Sequence, residues 1–308
     1  MVRALLKSEG IHHITAMVNS AQRTINFYTD ILGLRLVKKT INFERPEVYH
    51  LYFGDYRGLP GTIMTFFPWE KQLKGRIGTG QVGATSYAIP ANSLDFWENR
   101  LHHFGIDYER VGRFGDSLLS LTDRDGLKLE LVEQPVALNS PEIIGFAGAT
   151  LYSAKPDKSA DILENLFRMK CVGDDEGYLR FKAGGAVGNL IDIKLTPSVR
   201  GLMGAGTLHH IALRAKDEAE LYQWRELLLE KSLNPTEIRD RHYFKSIYFH
   251  DEGGILFEIA TDSPGFTIDE PVAHLGQQLM LPPWLESKRA ELEALLPDVG
   301  VHIVEGID

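Results

Sequence analysis

Two copies of one short string constrain how this chain can fold. The string GIHHITA occupies residues 10–16, and TLHHIAL occupies residues 207–213. The segment that begins with the second copy ends with the run GILFEIA at residues 254–260. Apolar residues alternate with polar ones in these runs, as in half-buried strands. A strand start that recurs far along one chain predicts an internal structural repeat.

The whole chain divides into four units of one kind, each with a strand, an amphipathic helix and two or three further strands. In the first unit Ser20 is a suitable N-cap, Ile25, Tyr28 and Leu32 recur at helical spacing, and Gly33 ends the helix. A module of this length cannot cover its own sheet face, so modules must pair. The sequence therefore predicts an α+β fold of four β-α-β-β-β modules in two domains, with a C-terminal helical tail.

The predicted domain boundary lies near Gln134–Ser140, where two prolines bracket a short polar stretch. Modules one and two would form an N-terminal domain over residues 8–135. Modules three and four would form a C-terminal domain over residues 142–264. The tail over residues 265–308 contains a Pro-Pro-Trp run and a charged helix, and we expect it to clamp across the body.

Composition narrows the classes of function. The chain has 33 basic and 42 acidic residues, a formal net charge of −9, which argues against a nucleic-acid surface. Its one cysteine, Cys171, excludes an internal disulfide and suits a reducing compartment. No apolar run reaches the length of a membrane helix or signal peptide. We expect a cytoplasmic protein that binds no membrane, and we leave homo-oligomerisation open.

The two His-His pairs and Glu258 form a plausible set of metal ligands. Neighbours in a strand point to opposite faces, so only one histidine of each pair can enter a common cavity by ordinary pleating. The sequence leaves open which one. Two imidazoles and one carboxylate on one face of a metal leave the opposite positions free. The alternative is that both pairs are partly buried strand histidines with structural hydrogen bonds.

The internal repeat also predicts what stands opposite Glu258. Aligning the last strands of modules one and four places Thr65 there, and threonine is a poor metal ligand. An open position favours oxygen chemistry over a closed isomerase site. The same alignment places Glu130 and Asp192 at this position in modules two and three, whose strand starts hold no histidine. We interpret both as vestiges or solvated strand residues.

Two long runs carry a resemblance to a known family. They are VYHLYFGDYRGLPGTIMTFFP at residues 48–68 and DRHYFKSIYF at residues 240–249, the latter followed by GGILFEIAT at residues 253–261. With the four-module pattern, they resemble the vicinal oxygen chelate superfamily of glyoxalase I, bleomycin-resistance proteins and extradiol dioxygenases. Within it, the runs are similar to hydroquinone-type ring-cleaving dioxygenases. The resemblance implies that both domains are glyoxalase-like.

The resemblance implies a site built from modules one and four. An Fe(II) ion, with Mn(II) as an alternative, would be held by His13, His210 and Glu258. Further roles in catalysis are implied for a set of neighbouring residues, namely His12, Thr15, His209, Arg241 and Tyr248. The implied reaction is O2-dependent cleavage of a hydroquinone-like ring beside a hydroxyl-bearing carbon. A small aromatic substrate and O2 are thus the expected partners.

The role of Tyr248 depends on strand register. A three-residue loop at 252–254 would pair residue 248 with residue 258 and place both side chains on one face. A two-residue loop at 252–253 would place them on opposite faces. Consecutive glycines suit the longer loop, and we predict that register. Arg241 would steady an anionic oxygen, His12 or His209 would move protons, and His50 is a weaker candidate.

Two rival functions share these residues. One is a non-oxidative isomerase or lyase of the same fold that uses Zn(II), Ni(II) or Mn(II). The other is a protein that sequesters quinones or drugs in the cavity without turnover. Dependence on O2 distinguishes a dioxygenase from the isomerase or lyase. Metal occupancy distinguishes the sequestering protein from both enzymes.

Overall fold

The structure, a computed structural model, describes residues 6–301. The chain forms four β-α-β-β-β units, which confirms the predicted fold class. Unit one contains β1 (Ile11–Val18), α1 (Ala21–Asn26), β2 (Arg35–Asn42), β3 (Arg45–Gly54) and β4 (Ile63–Pro68). Unit two contains β5 (Gln81–Ile89), α2 (Leu94–His103), β6 (Tyr108–Arg113), β7 (Asp116–Thr122) and β8 (Lys128–Glu133).

The second half of the chain repeats this order. Unit three contains β9 (Gly145–Tyr152), α3 (Pro156–Asp161), β10 (Lys170–Asp175), β11 (Tyr178–Lys182) and β12 (Leu190–Lys194). Unit four contains β13 (Thr207–Ala215), α4 (Glu218–Glu230), β14 (Arg239–Asp240), β15 (Phe244–His250) and β16 (Leu256–Pro264). Among the described residues, no helix is both long enough and apolar enough to span a membrane.

The helices cover one face of each sheet. Ser20 caps α1 as predicted by accepting a hydrogen bond from the backbone N–H of Arg23, and one π-helical turn then extends that helix to Ile31. α2 packs on β7, α3 on β12, and α4 on β15 and β16. Trp97 and Trp224 are buried with the apolar faces of these helices in one continuous core. The opposite sheet face is thereby left free to line a cavity.

The strands form two eight-stranded sheets with a common plan. Their orders are β14-β15-β16-β13-β1-β4-β3-β2 and β10-β11-β12-β9-β5-β8-β7-β6. Unit one therefore pairs with unit four through antiparallel β1 and β13, and unit two pairs with unit three through β5 and β9. The predicted pairing of modules one with two and three with four within a sheet is wrong.

The physical reason is that periodicity identifies a strand but not its partner. Every unit starts with an equally apolar strand, and any two of these could align at the centre of a sheet. Chain connectivity favours neighbours only weakly, because a longer loop adds little closure entropy. The ranges 8–135, 142–264 and 265–308, taken as separate folding domains, stay a prediction.

The strand registers show which residues are equivalent in the four units. Glu258 lies opposite Ala212, Glu130 opposite Ser86, Asp192 opposite Thr150, and Thr65 opposite Thr15. The four residues thus occupy equivalent positions next to the first strand of their unit, as the sequence alignment predicted.

In the second sheet this position is filled by a buried ion cluster rather than by solvated carboxylates. Arg113 Nη1 and Nη2 donate to Glu130 Oε1 and Oε2 at 2.9 and 2.6 Å. Arg180 donates to both oxygens of Asp192 at 2.8 and 3.0 Å, and Arg113 Nε lies 3.1 Å from Asp192 Oδ2. All four side chains are buried. The prediction that Glu130 and Asp192 are solvated is wrong, because guanidinium groups neutralise them inside the protein.

The C-terminal tail is fastened to unit one. It contains 3₁₀ turns at Phe266–Ile268, Val272–His274 and Glu286–Lys288, followed by α5 (Arg289–Leu295). Fully buried Lys38 on β2 donates to Asp269 and Glu270 at 2.6 and 2.5 Å, and Tyr49 on β3 donates to the Pro297 carbonyl. The tail thus lies along the outer strands of the first sheet. Residues 302–308 lie outside the described part of the chain.

Replacing Arg113 with methionine should destabilise the fold. The change leaves Glu130 buried without its bidentate partner, a loss that amounts to about 3–5 kcal/mol. Chemical unfolding followed by circular dichroism measures the free energy of unfolding. Arg110→Met on the same strand is the matched control, since Arg110 forms one exposed ion pair with Glu98 and should change stability by less than about 1 kcal/mol. Equal stability of the two variants would contradict a structural role for the cluster.

Candidate metal centre

Two β-bulges shape the centre of the first sheet. Along β1, Ile11 lies opposite Leu213 but His13 lies opposite Ala212, so His12 is an extra residue in the ladder. A bulge bends its strand and re-aims the neighbouring side chains.

The second bulge lies on β13. There Thr15 faces His210 and Ala16 faces Leu208, so His209 is the extra residue. The two bulges are related by the internal repeat, which places the second histidine of each pair at the same depth in the sheet.

The structure brings together the three predicted ligands. His210 Nε2 lies 2.8 Å and His13 Nε2 lies 3.2 Å from Glu258 Oε2, and the two Nε2 atoms are 3.3 Å apart. One ligand atom from each residue lies within 4.8 Å of the others, which is the separation a bound metal ion requires. All three side chains are buried, and Glu258 has no exposed surface.

Each ligand ring contacts the other histidine of its pair. His12 Nδ1 lies 2.9 Å from His13 Nδ1, and His209 Nδ1 lies 2.7 Å from His210 Nδ1. His12 is also hydrogen-bonded to the backbone of Thr261. A neighbour that holds the second ring nitrogen of a ligand, and so orients its ring, is typical of metal-binding histidines.

The two histidine pairs meet the cavity differently, although each contains a bulge. His13 lines the main cavity, whereas His12 lines a separate cleft next to Tyr243. His209 and His210, however, both line the main cavity. The expectation that one histidine of each pair enters it is therefore met by the first pair and wrong for the second. It rested on regular alternation of side chains, which the bulges in β1 and β13 interrupt.

The electrostatics of the three residues fit a bound cation. Burial opposes ionisation of Glu258, but His13 and His210 outweigh it and hold the pKa of this carboxyl well below its ordinary value. Burial lowers the pKa of His210 despite Glu258, so its ring is neutral at neutral pH. The polar neighbours of Glu258 Oε2 are the Nε2 atoms of His210 and His13, both of which also serve as candidate ligands. A buried, ionised carboxylate that converges with two imidazole nitrogens is stabilised by a metal ion.

Tyr248 stands beside the three residues in the predicted register. It pairs with Glu258 across β15 and β16, and the loop after Asp251 contains Gly254 at φ +88°. The prediction of a three-residue loop is confirmed. The Tyr248 ring lies 5.6 Å from the His210 ring, measured between centroids. Burial and the charge of Glu258 raise the pKa of Tyr248, so the phenol is protonated and can act as a hydrogen-bond donor.

Arg241 faces the same cavity. Its guanidinium carbon lies 5.4 Å from the centre of the Tyr248 ring, and its Nη2 lies 3.2 Å from Glu44. Arg239, which the sequence reasoning did not single out, also lines the cavity and donates to Glu44 at 2.6 Å. Arg239 and Arg241 carry two positive charges and Glu44 carries one negative charge, so this part of the cavity wall has a net positive charge.

Thr15 reaches the cavity only through other residues. Its hydroxyl lies 2.8 Å from that of Thr65, Thr65 lies 2.9 Å from His50 Nε2, and His50 Nδ1 lies 2.8 Å from the Tyr52 hydroxyl. The sequence reasoning treated Thr65 only as a poor ligand and missed Tyr52. The signal was present, since His50 and Tyr52 are two apart on one strand and therefore share a face.

The cavity above these groups has a volume of about 630 Å³, within the usual range for small-molecule sites. Its wall is rich in apolar side chains, among them Met17, Phe67, Trp69, Phe244 and Phe249. An apolar wall around a few polar groups suits an aromatic ring with polar substituents.

Comparison with known proteins agrees with this architecture. The sequence profile of the Glyoxalase/Bleomycin resistance protein/Dioxygenase superfamily matches residues 10–131 and 145–259. The chain is 48% identical over 302 residues to the Bacillus subtilis protein named "Putative ring-cleaving dioxygenase MhqO", covering 94% of this chain and 97% of the relative. It is 33% identical over 314 residues to "Chlorohydroquinone/hydroquinone 1,2-dioxygenase" of Sphingobium indicum, covering 94% and 96%.

A solved structure shows the same fold over nearly the whole length. It is a crystal structure from Bacillus subtilis described as that of a "putative dioxygenase", and it superposes with a TM-score of 0.93 at 47% identity. The superposition covers 96% of this chain and 99% of the other. With its repeated units and its profile match, the chain belongs to the glyoxalase/bleomycin resistance protein/dioxygenase superfamily.

Proposed function

We propose that this protein is an Fe(II)-dependent dioxygenase that uses O2 to cleave the ring of hydroquinone-like aromatic compounds beside a hydroxyl-bearing carbon. One observation carries the proposal: the buried side chains of His13, His210 and Glu258 converge with one ligand atom each within 4.8 Å of the others, and both histidines line the main cavity. Two histidines and one carboxylate form the facial triad of non-haem Fe(II) oxygenases. Mn(II) is the alternative metal.

The similar proteins support the same reaction class. The names of relatives from Bacillus subtilis and Sphingobium indicum specify ring cleavage and hydroquinone oxidation. The ranges that the superfamily profile matches, residues 10–131 and 145–259, include every residue of the proposed site. The cytoplasmic location remains a prediction from the sequence, and homo-oligomerisation stays open.

Each residue of the site has a defined task in this proposal. A bound ferrous ion would supply free coordination positions for a phenolic oxygen and O2. Arg241 and the protonated Tyr248 donate hydrogen bonds to the ionised phenolic oxygen. His12 and His209 orient the ligand rings, and the apolar wall excludes water from the ring.

The nature of residue 65 weighs against the isomerase rival. Thr65 occupies the position that Glu258 occupies in unit four, and its hydroxyl is bonded to Thr15 and His50. A fourth protein ligand is therefore missing where a glyoxalase-like isomerase would place one. The sequestering rival requires no metal and leaves the buried carboxylate unexplained.

The reaction is tested by oxygen uptake. Protein loaded anaerobically with Fe(II) should consume one O2 per aromatic ring lost when given a methylhydroquinone, and catechol should react more slowly. An oxygen electrode and ultraviolet absorbance measure the two quantities together. Tight metal binding without oxygen consumption would favour the isomerase or lyase, and no metal binding at all would favour sequestration.

Replacing Glu258 with glutamine should abolish iron retention. The amide keeps the shape but removes the negative charge, so the loss of affinity should exceed the about 10–100-fold typical of residues that only orient ligands. Iron content after desalting, measured by mass spectrometry, is the readout. Glu252→Gln is the control, because Glu252 lies exposed in the adjoining loop and forms surface ion pairs with Lys155 and Lys158. Undiminished iron in Glu258→Gln would refute the ligand assignment.

Replacing His12 or His209 with alanine should weaken iron binding without abolishing it. Each change frees the tautomer and orientation of one ligand ring, which should lower affinity by about 10–100-fold. Competition with a ferrous chelator measures the affinity. His102→Ala on the exposed side of α2 should leave it unchanged. An affinity equal to that of the wild type in both variants would remove the proposed positioning role.

A further inference from the structure

A second tyrosine occupies the position of Tyr248 in unit one. Tyr248 lies opposite Glu258 across β15 and β16, and Tyr52 lies opposite Thr65 across β3 and β4. Because Thr65 and Glu258 are equivalent in the repeat, so are the two tyrosines. Both line the main cavity, one on each side of the pseudo-twofold relation between units one and four.

The two tyrosines have different surroundings. Burial and the charge of Glu258 act on Tyr248, which lies under the guanidinium groups of Arg239 and Arg241. Tyr52 has instead a histidine two residues earlier, whose Nδ1 lies 2.8 Å from its hydroxyl. The two tyrosines therefore differ in their direct neighbours: two guanidinium groups lie against the Tyr248 ring, and an imidazole contacts the Tyr52 hydroxyl.

Two hydrogen-bonded threonines hold the His50 ring in place. Its Nε2 lies 2.9 Å from Thr65 Oγ1, which lies 2.8 Å from Thr15 Oγ1, and both threonines are fully buried. The ring also packs against Phe67 with centroids 4.4 Å apart. Burial lowers the pKa of His50 and raises that of Tyr52, so both groups are neutral at neutral pH.

The Tyr52 hydroxyl retains hydrogen-bonding capacity toward the cavity. A phenolic hydroxyl has one donor and an acceptor lone pair, and His50 uses one of them. Tyr52 is 2% exposed, and its ring is fixed by Phe266 and Tyr243, with centroids at 5.0 and 6.3 Å. Such a group is preorganised to bind one polar atom of a ligand, with little loss of side-chain entropy on binding.

We propose that the Tyr52 hydroxyl, positioned by His50, binds the second hydroxyl of the substrate, the one that the metal does not hold. This inference rests on the proposed function and adds the group that recognises the second oxygen. A hydroquinone carries hydroxyls at opposite ends of one ring. The guanidinium groups beside Tyr248 suit the ionised oxygen, and the hydrogen-bonded His50–Tyr52 pair suits the oxygen that keeps its proton. Tyr52 is thus the binding residue that separates a hydroquinone from a simple phenol.

A cycle that combines one protein change with one ligand change tests this assignment. Wild-type and Tyr52→Phe proteins are loaded with Fe(II), and their anaerobic Kd values for hydroquinone and phenol are measured by calorimetry. Phenol lacks only the remote hydroxyl. Tyr52→Phe should weaken hydroquinone binding about tenfold, the equivalent of one neutral hydrogen bond, and change phenol binding less than about twofold. Equal effects on both ligands, or no effect on either, would overturn the inference.

Two further variants exclude a merely structural effect. His50→Asn should reproduce the selective loss for hydroquinone while iron content stays at the wild-type level, because its action passes through Tyr52. Tyr49→Phe is the matched control on the same strand, since the Tyr49 hydroxyl donates to the Pro297 carbonyl of the tail, and it should change neither Kd. If His50→Asn weakened the binding of both hydroquinone and phenol, His50 would have a structural role and not a role in substrate recognition.

The outcomes separate this inference from the proposed function. Oxygen uptake by the wild type with a normal hydroquinone Kd in Tyr52→Phe would leave the dioxygenase standing and overturn the role of Tyr52. Selective weakening without oxygen uptake by the wild type would support the subsite and contradict the dioxygenase. Failure of the wild-type protein to bind hydroquinone would overturn both.

Discussion

The antiparallel contact between β1 and β13 is the interaction on which the site depends. It joins the first and last units of the chain, and its two bulges bring His13 and His210 together at the centre of one sheet. Parallel pairing of β13 with β16 then adds Glu258 beside them. Moving this register by one residue would turn the ligands to the other face. The polar network around the metal centre therefore depends on backbone pairing between segments far apart in sequence.

The same sheet position is neutralised in two ways within one molecule. In the second sheet, Glu130 and Asp192 are buried beside Arg113 and Arg180, which donate to them directly. In the first sheet Glu258 faces the imidazoles of His13 and His210 instead of guanidinium groups, and a metal ion is the cation that fits. A buried carboxylate needs a positive partner in either case. The duplicated scaffold thus carries one closed ion cluster and one centre that can be open to ligands.

Sequence reasoning succeeded where the information was local or repeated. The four units, the cap at Ser20 and the alignment of Thr65 with Glu258 followed from periodicity and the internal repeat. The glycines after Asp251 suited the hairpin register that the role of Tyr248 required, and the structure has that register. It failed on the pairing of units, because equally apolar first strands do not encode their partners. It also failed on the entry of His209 into the cavity, because the bulges at His12 and His209 are properties of two paired strands and cannot be predicted from one strand alone.

By itself, the sequence determined the kinds of groups available: two histidine pairs, one equivalent glutamate and a repeated strand-helix pattern to carry them. Hydrophobic periodicity and turn chemistry act over short stretches, so they can be read from neighbouring residues. Only the tertiary structure decided that unit one meets unit four, that His50 connects Thr65 with Tyr52, and that arginines fill the second sheet. These features depend on which surfaces share one buried space, where every charge and polar atom must find a partner among residues distant in the chain.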